Sequence, residues 1–214
     1  MVDLLQTMVK IKICGITNLE DALSAGKLGC DALGFVFFKQ SPRYITPEHA
    51  GDIIKYLPKH IIKIGVFRNA AEKKIRQIAK FCKLDILQFH GQESPQFCQR
   101  FKGYKIIKVF RIKDKIDTRF VLKYKSFAYL FDTFTSSAAG GTGKSFDWKL
   151  IGNLRGVKQP IFLAGGLNPK NINRAIKTAC PDWVDVSSGV ESAPGKKDYA
   201  KLKKFIAQAR QSKT

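Results

Sequence analysis

The feature that most constrains this chain is a unit repeated eight times. In each unit a short β-branched or aromatic run is followed by a helical stretch. The runs fall at 8–14, 31–37, 61–67, 85–90, 105–110, 127–132, 160–164 and 182–187. Helix-start signals lie between them. Thr17-Asn18-Leu19-Glu20 has the spacing of a capping box, and Asn69-Ala70-Ala71-Glu72 has a similar cap-plus-acid shape. Thr46-Pro47, Ser94-Pro95 and Asn168-Pro169 each set a capping side chain before a proline suited to the first helical turn. A last helix is expected over about 197–209. Consecutive parallel strands need crossovers, and the helices supply them. Eight such units close into a single-domain (β/α)₈ barrel. A doubly wound open sheet is the competing architecture, but its Gly-x-Gly-x-x-Gly turn is missing. The barrel is expected over 8–210, with residues 1–7 a loose extension before Met8.

The chain has 214 residues, 44% hydrophobic and 26% charged, enough to bury one sizeable core. No apolar run reaches the roughly 20 residues of a membrane span, and the N-terminus lacks a signal-peptide pattern. A cytoplasmic location with no membrane partner is expected. The five cysteines are odd in number and form no CxxC pair, which argues against a disulfide framework or a structural zinc site. The net charge of +21 fits either a nucleic-acid partner or the steering of a small anionic substrate. Lys and Arg are spread along the chain and most Phe lie in apolar runs, so the second reading is favoured and no nucleic acid is expected.

Active sites of such barrels lie at the C-terminal ends of the strands. Strand one ends on Cys14, strand four on His90, strand six on Asp132 and strand eight on Asp185-Val186-Ser187. Strand two runs into Gln40-Ser41-Pro42-Arg43. Alternation puts Lys12 with Cys14, Gln88 with His90 and Leu130 with Asp132 on shared faces. Taken singly, a strand cysteine is usually a buried hydrophobe, a strand-end aspartate a turn cap, and a lone histidine a structural hydrogen-bonder. Their convergence on one mouth is what points to chemistry. Three widely spaced histidines argue against a metal site.

Two glycine-rich stretches have the character of anion sites: Gly165-Gly166, leading into a helix, and Ser187-Ser188-Gly189, able to open a short extra helix. Loops after strands seven and eight are the usual phosphate position in these barrels. The stretch 137–145, SAAGGTGKS, nearly spells a phosphate-binding P-loop. Ala138 stands where its first glycine belongs, and no long helix follows. It reads instead as a glycine-rich lid after strand six.

KICGIT, GFVFFKQSPRY, IGVFRN, LQFHG, FDT with GGTGKSFDW, LAGGLNP and DVSSGVESAPGKKD occur in order over about residues 9–205. On these motifs the chain resembles the phosphoribosylanthranilate isomerase family of tryptophan biosynthesis. The resemblance implies a (β/α)₈ barrel and an Amadori rearrangement of N-(5-phosphoribosyl)anthranilate, with no cofactor and no metal. It implies Cys14 as general base and Asp132 as general acid, with Arg43 pairing with the anthranilate carboxylate. It implies His90 and Asp185 lining the pocket, and backbone N–H groups of Gly165, Gly166, Ser187, Ser188 and Gly189 holding the phosphate. Lys12, two residues before Cys14, is expected to help ionise the thiol. The histidine-pathway isomerase runs the same rearrangement with two aspartates, and Cys14 paired with Asp132 discriminates against it. Indole-glycerol-phosphate synthase would need strand-end lysines and glutamates. The sequence leaves monomer or homodimer open.

Overall fold

A computed structural model describes residues 8–133, 147–152, 154 and 156–212. The expected extension over 1–7 and the glycine-rich lid over 137–145 lie outside them. Eight parallel strands close a barrel in chain order. They are β1 (Lys10–Cys14), β2 (Ala32–Val36), β3 (Ile62–Phe67), β4 (Ile86–Phe89), β5 (Lys105–Ile112), β6 (Ala128–Thr133), β7 (Ile161–Leu163) and β8 (Trp183–Val186). The helices between and after them are α1 (Leu19–Lys27), α2 (Pro47–Lys55), α3 (Glu72–Phe81), α4 (Pro95–Gln99), α5 (Thr118–Leu122), α6 (Lys149–Gly152), α7 (Ile172–Ala179) and α8 (Tyr199–Gln211). After β8 a 3₁₀ turn, Ser188–Val190, leads into a small antiparallel pair, β9 (Glu191–Ala193) and β10 (Lys196–Lys197). That pair has no counterpart among the strands expected from the sequence.

Strand alternation divides the apolar residues into two layers. Ala32, Ile64, Ile86, Ile107, Val109, Leu130 and Phe162 fill the barrel interior. Their neighbours along the strands, such as Ile11, Leu33, Leu87, Phe131 and Val184, pack outward against helices. Both faces are buried, as parallel strands require. At the N-terminal end Phe162 stacks on Trp183, with ring centroids 4.7 Å apart, and the ammonium of Lys10 sits 5.4 Å from the Trp183 ring. The apolar filling closes that end, which leaves the C-terminal end as the mouth.

Two caps behave as read. Thr46 and Ser94 accept from the backbone N–H of His49 and Phe97, each ahead of a proline in the first helical turn. Three do not. Helix α1 is capped by Asn18, which accepts from Asp21 N, while the Thr17 hydroxyl donates to the Gly195 carbonyl. Asn69 adopts a positive φ, and its side chain accepts from Gln92 N, so α3 starts at Glu72 behind Ala71 with no side-chain cap. Asn168 closes a turn onto Lys170 N, and α7 begins only at Ile172. In each case a tertiary or loop hydrogen bond takes the side chain that local spacing had assigned to the helix. Helix α8 starts two residues later than expected, because Asp198 caps it from Lys201 N.

Candidate active site

The mouth gathers side chains from the inward positions of the strands. Inward parity runs through Lys12 and Cys14 on β1, Ala32 and Gly34 on β2, Gln88 and then His90 on β4, Leu130 and Asp132 on β6, and Asp185 on β8. The approach of Lys12 and Cys14 to Gly34 confirms it. A Cβ on Gly34 would lie 2.8 Å from Cys14 Sγ and 3.2 Å from Lys12 Cε. The absence of a side chain there is what gives the thiol room.

Cys14 is partly buried at the end of β1. Just below it Lys12 is fully buried, and its ammonium donates to Asp185 Oδ2 at 2.8 Å. Burial alone would push Lys12 down, but the Asp185 carboxylate and the Cys14 sulfur outweigh it and hold the lysine above its ordinary value. Burial pushes the Cys14 thiol up, and the neighbouring Lys12 pulls against that rise. The ammonium thus stands ready to stabilise a thiolate. Asp185, on the inward face of β8, is buried and is the partner of Lys12. Its Oδ1 is buried and makes no hydrogen bond among the described residues.

Asp132 is the penultimate residue of β6, three strands round the barrel from β1. Its Oδ1 accepts from Thr133 N at 2.8 Å, which leaves Oδ2 turned to the mouth. There His90 Nε2 stands 3.4 Å away, beyond a short hydrogen bond but within reach of one once a ligand closes the site. The His90 loop is held from behind. Glu93 accepts from Gly91 N and Asn69 N and pairs with the buried Lys108 ammonium at 2.8 Å.

Gly165 and Gly166 follow β7 with φ of 86° and 67°, a region that disfavours any side chain. A Cβ on Gly165 would lie 2.5 Å from Thr133 N and 2.8 Å from Asp132 Oδ1, so this glycine lets the β7 loop pass beside the acid. Asn168 and Asn171 both donate to the Gly166 carbonyl and fix the loop's course. Gly165-Gly166 is separated from the start of α7 by five residues, so it does not itself open that helix. Ser187 precedes the 3₁₀ turn and Ser188 and Gly189 lie in it, and this is the short extra helix the sequence suggested. A Cβ on Gly189 would collide with the Leu167 carbonyl, which brings the two glycine-rich loops side by side.

Arg43 reaches the mouth from the loop after β2, with its stem over Gly15. Its guanidinium is forked onto Glu191, with Nη2 2.7 Å from Oε2 and Nε 2.9 Å from Oε1. Lys197 completes the group, its Nζ 2.8 Å from Glu191 Oε1 and 2.6 Å from the Cys14 carbonyl. Glu191 and Lys197 were not singled out from sequence. Their motif was visible, but a charged pair buried by a two-residue strand has no periodic signature. Among the described residues, no group of three or more His, Cys, Asp or Glu side chains is placed to hold a metal ion, and no helix is long and apolar enough to cross a membrane.

A closed (β/α)₈ barrel with a thiol, a carboxyl and an imidazole at its C-terminal mouth, beside two glycine loops after β7 and β8, has the arrangement of a barrel enzyme with its site at that end. The family model of N-(5′-phosphoribosyl)anthranilate isomerase matches residues 11–208. The chain belongs to that isomerase family. It is 49% identical over 207 residues to the N-(5′-phosphoribosyl)anthranilate isomerase of Pelobacter propionicus, covering 97% of this chain and 98% of that protein. Phosphoribosyl anthranilate isomerase from Thermotoga maritima superposes with a TM-score of 0.89 at 44% identity, covering 94% of this chain and 98% of that one. A structure of phosphoribosyl anthranilate isomerase in complex with reduced 1-(o-carboxyphenylamino)-1-deoxyribulose 5-phosphate gives a TM-score of 0.86 at 42% identity, with coverage of 94% of this chain and 98% of that one.

Proposed function

We propose that this enzyme converts N-(5-phosphoribosyl)anthranilate to 1-(2-carboxyphenylamino)-1-deoxy-D-ribulose 5-phosphate, the third step of tryptophan biosynthesis from chorismate. The observation that supports the proposal is the position of Cys14 and Asp132 on inward faces at the C-terminal ends of β1 and β6, in a barrel of this family. The ligand in the related phosphoribosyl anthranilate isomerase complex bears a carboxylate and a phosphate, matching the two kinds of group expected at Arg43 and at the glycine loops.

Asp132 in its protonated form gives its proton to the furanose ring oxygen. The bond from that oxygen to C1′ breaks, and the anilino nitrogen lone pair forms the C1′=N iminium. The Cys14 thiolate then takes the C2′ proton, and the C2′–H electrons pass to C1′ and nitrogen to give an enolamine. Loss of the C2′ hydroxyl proton and protonation at C1′ complete the ketone. Each proton transfer contributes about 10²–10⁴ to the rate when its donor or acceptor is held in place. His90 stands beside Asp132 Oδ2 and orients that carboxyl. Gly165, Gly166, Ser187, Ser188 and Gly189 offer backbone N–H groups to the phosphate.

The test is the loss of anthranilate fluorescence from substrate generated in situ, with excess indole-glycerol-phosphate synthase drawing off product. Rapid loss with the native chain, slowed at least about a hundredfold in Asp132→Asn, is expected. A folded native chain without turnover would overturn the proposal.

A further inference from the structure

Resting on the isomerase reading, we propose that Glu191 and Lys197 are positioning residues that preset the Arg43 guanidinium to receive the carboxylate of the substrate. A guanidinium carries five N–H donors arranged along two usable forks. Glu191 occupies the fork made by Nε and Nη2, at 2.9 and 2.7 Å. Among the described residues the remaining fork, made by Nη1 and the outer Nη2 hydrogen, makes no hydrogen bond, and it is the one we assign to a second carboxylate. Holding one edge fixes the plane of the other, so the rotamer entropy of a long side chain is lost before the ligand arrives.

A glutamate alone would cancel the charge it positions. Lys197 prevents this. Its side chain is completely buried, and its ammonium bonds Glu191 Oε1 at 2.8 Å. Burial pulls the Lys197 ammonium below its ordinary value and Glu191 opposes that fall; with all three groups ionised, two cations share one anion and the group carries one net positive charge. Burial would push the Glu191 carboxyl up, but Arg43 and Lys197 outweigh it and keep it ionised. The same ammonium donates to the Cys14 carbonyl at 2.6 Å and lies 3.4 Å from the Ser187 carbonyl. One buried cation therefore ties the carboxylate-binding arm, the end of β1 and the start of the 3₁₀ turn to a common frame. The β9–β10 pair exists at this point to bring Glu191 beside Lys197, which are register partners.

The test uses two reduced product analogues, one with the aromatic carboxylate and one with a plain phenyl ring, titrated calorimetrically into the whole chain. The native chain is expected to prefer the carboxylate-bearing analogue. Glu191→Gln should weaken that analogue about tenfold or more and leave the phenyl one nearly unchanged, with KM raised and kcat altered less than about threefold. In an Arg43→Met background, Glu191→Gln should have no further effect. Glu191→Asp, which keeps the charge, should restore part of the preference and serves if Glu191→Gln does not fold. Equal weakening of both analogues, or an undiminished effect without Arg43, would overturn the positioning role while leaving the isomerase reading intact. A native chain that turns over no substrate would overturn that reading itself, and this proposal with it.

Discussion

At the residue scale the chemistry turns on a thiol that its surroundings both oppose and support. Burial disfavours the Cys14 thiolate, and the Lys12 ammonium favours it. Removing Lys12 takes away the larger of two cationic influences that oppose burial, Lys197 being the other. In Lys12→Met, the pH midpoint for alkylation of Cys14 should therefore move up, read from the pH dependence of iodoacetamide labelling. An unchanged midpoint would show that Lys12 serves only Asp185. The same substitution strands the Asp185 carboxylate, and breaking a buried pair costs about 3–5 kcal/mol, so Asp185→Asn in the same background is the companion that should recover stability. The positions of Cys14, His90 and Asp132 were legible from sequence because each lies at or beside the C-terminal end of a strand on the inward parity. Asp185 had the same parity, yet its pairing with Lys12 was not legible, since that depends on where the Lys12 side chain ends.

At the scale of elements, the repeat made the barrel readable. All eight expected strands form, with boundaries within about two residues, because the β-branched runs are buried on both faces and need no alternation to be seen. Caps were less legible. Spacing identifies a side chain able to cap, but Thr17 and Asn69 each found a partner distant in sequence. The β9–β10 pair escaped notice for a related reason: two or three residues carry no period. Helix α3 was left with Ala71 at its N-cap and no side-chain acceptor. Ala71 already has the extended backbone of an N-cap, with φ −63° and ψ 142°. Ala71→Ser should therefore stabilise the fold by about 1 kcal/mol, measured by urea unfolding. A destabilised or unchanged variant would mean that the first turn of α3 is satisfied in another way.

At the scale of the whole molecule, three cysteines, Cys30, Cys82 and Cys98, are buried and act as apolar filling. Burial pushes the Cys30 thiol from 9.0 to about 12, with the Asp31 carboxylate adding to the rise. A raised thiol pKa means that the folded state holds its proton where the unfolded chain has released it. The contribution to stability is complete below pH 9.0 and is lost as pH rises toward about 12. Cys82 and Cys98, each pushed to about 11 by burial, act in the same direction. Stability should fall steadily above pH 9, and Cys30→Ala should show a shallower fall across that window in urea unfolding at stepped pH. A Cys30→Ala slope identical to the native one would contradict this.

The central claim is that the thiol closing KICGIT acts as the base of an aldose–ketose rearrangement. It is tested most directly by following anthranilate fluorescence for the native chain and Cys14→Ala side by side, at matched concentration and with matched far-ultraviolet spectra. Rapid decay in the native chain, and decay slower by about 10²–10⁴ in the variant, is the expected result. Equal rates in the two proteins would contradict it and take the base away from Cys14.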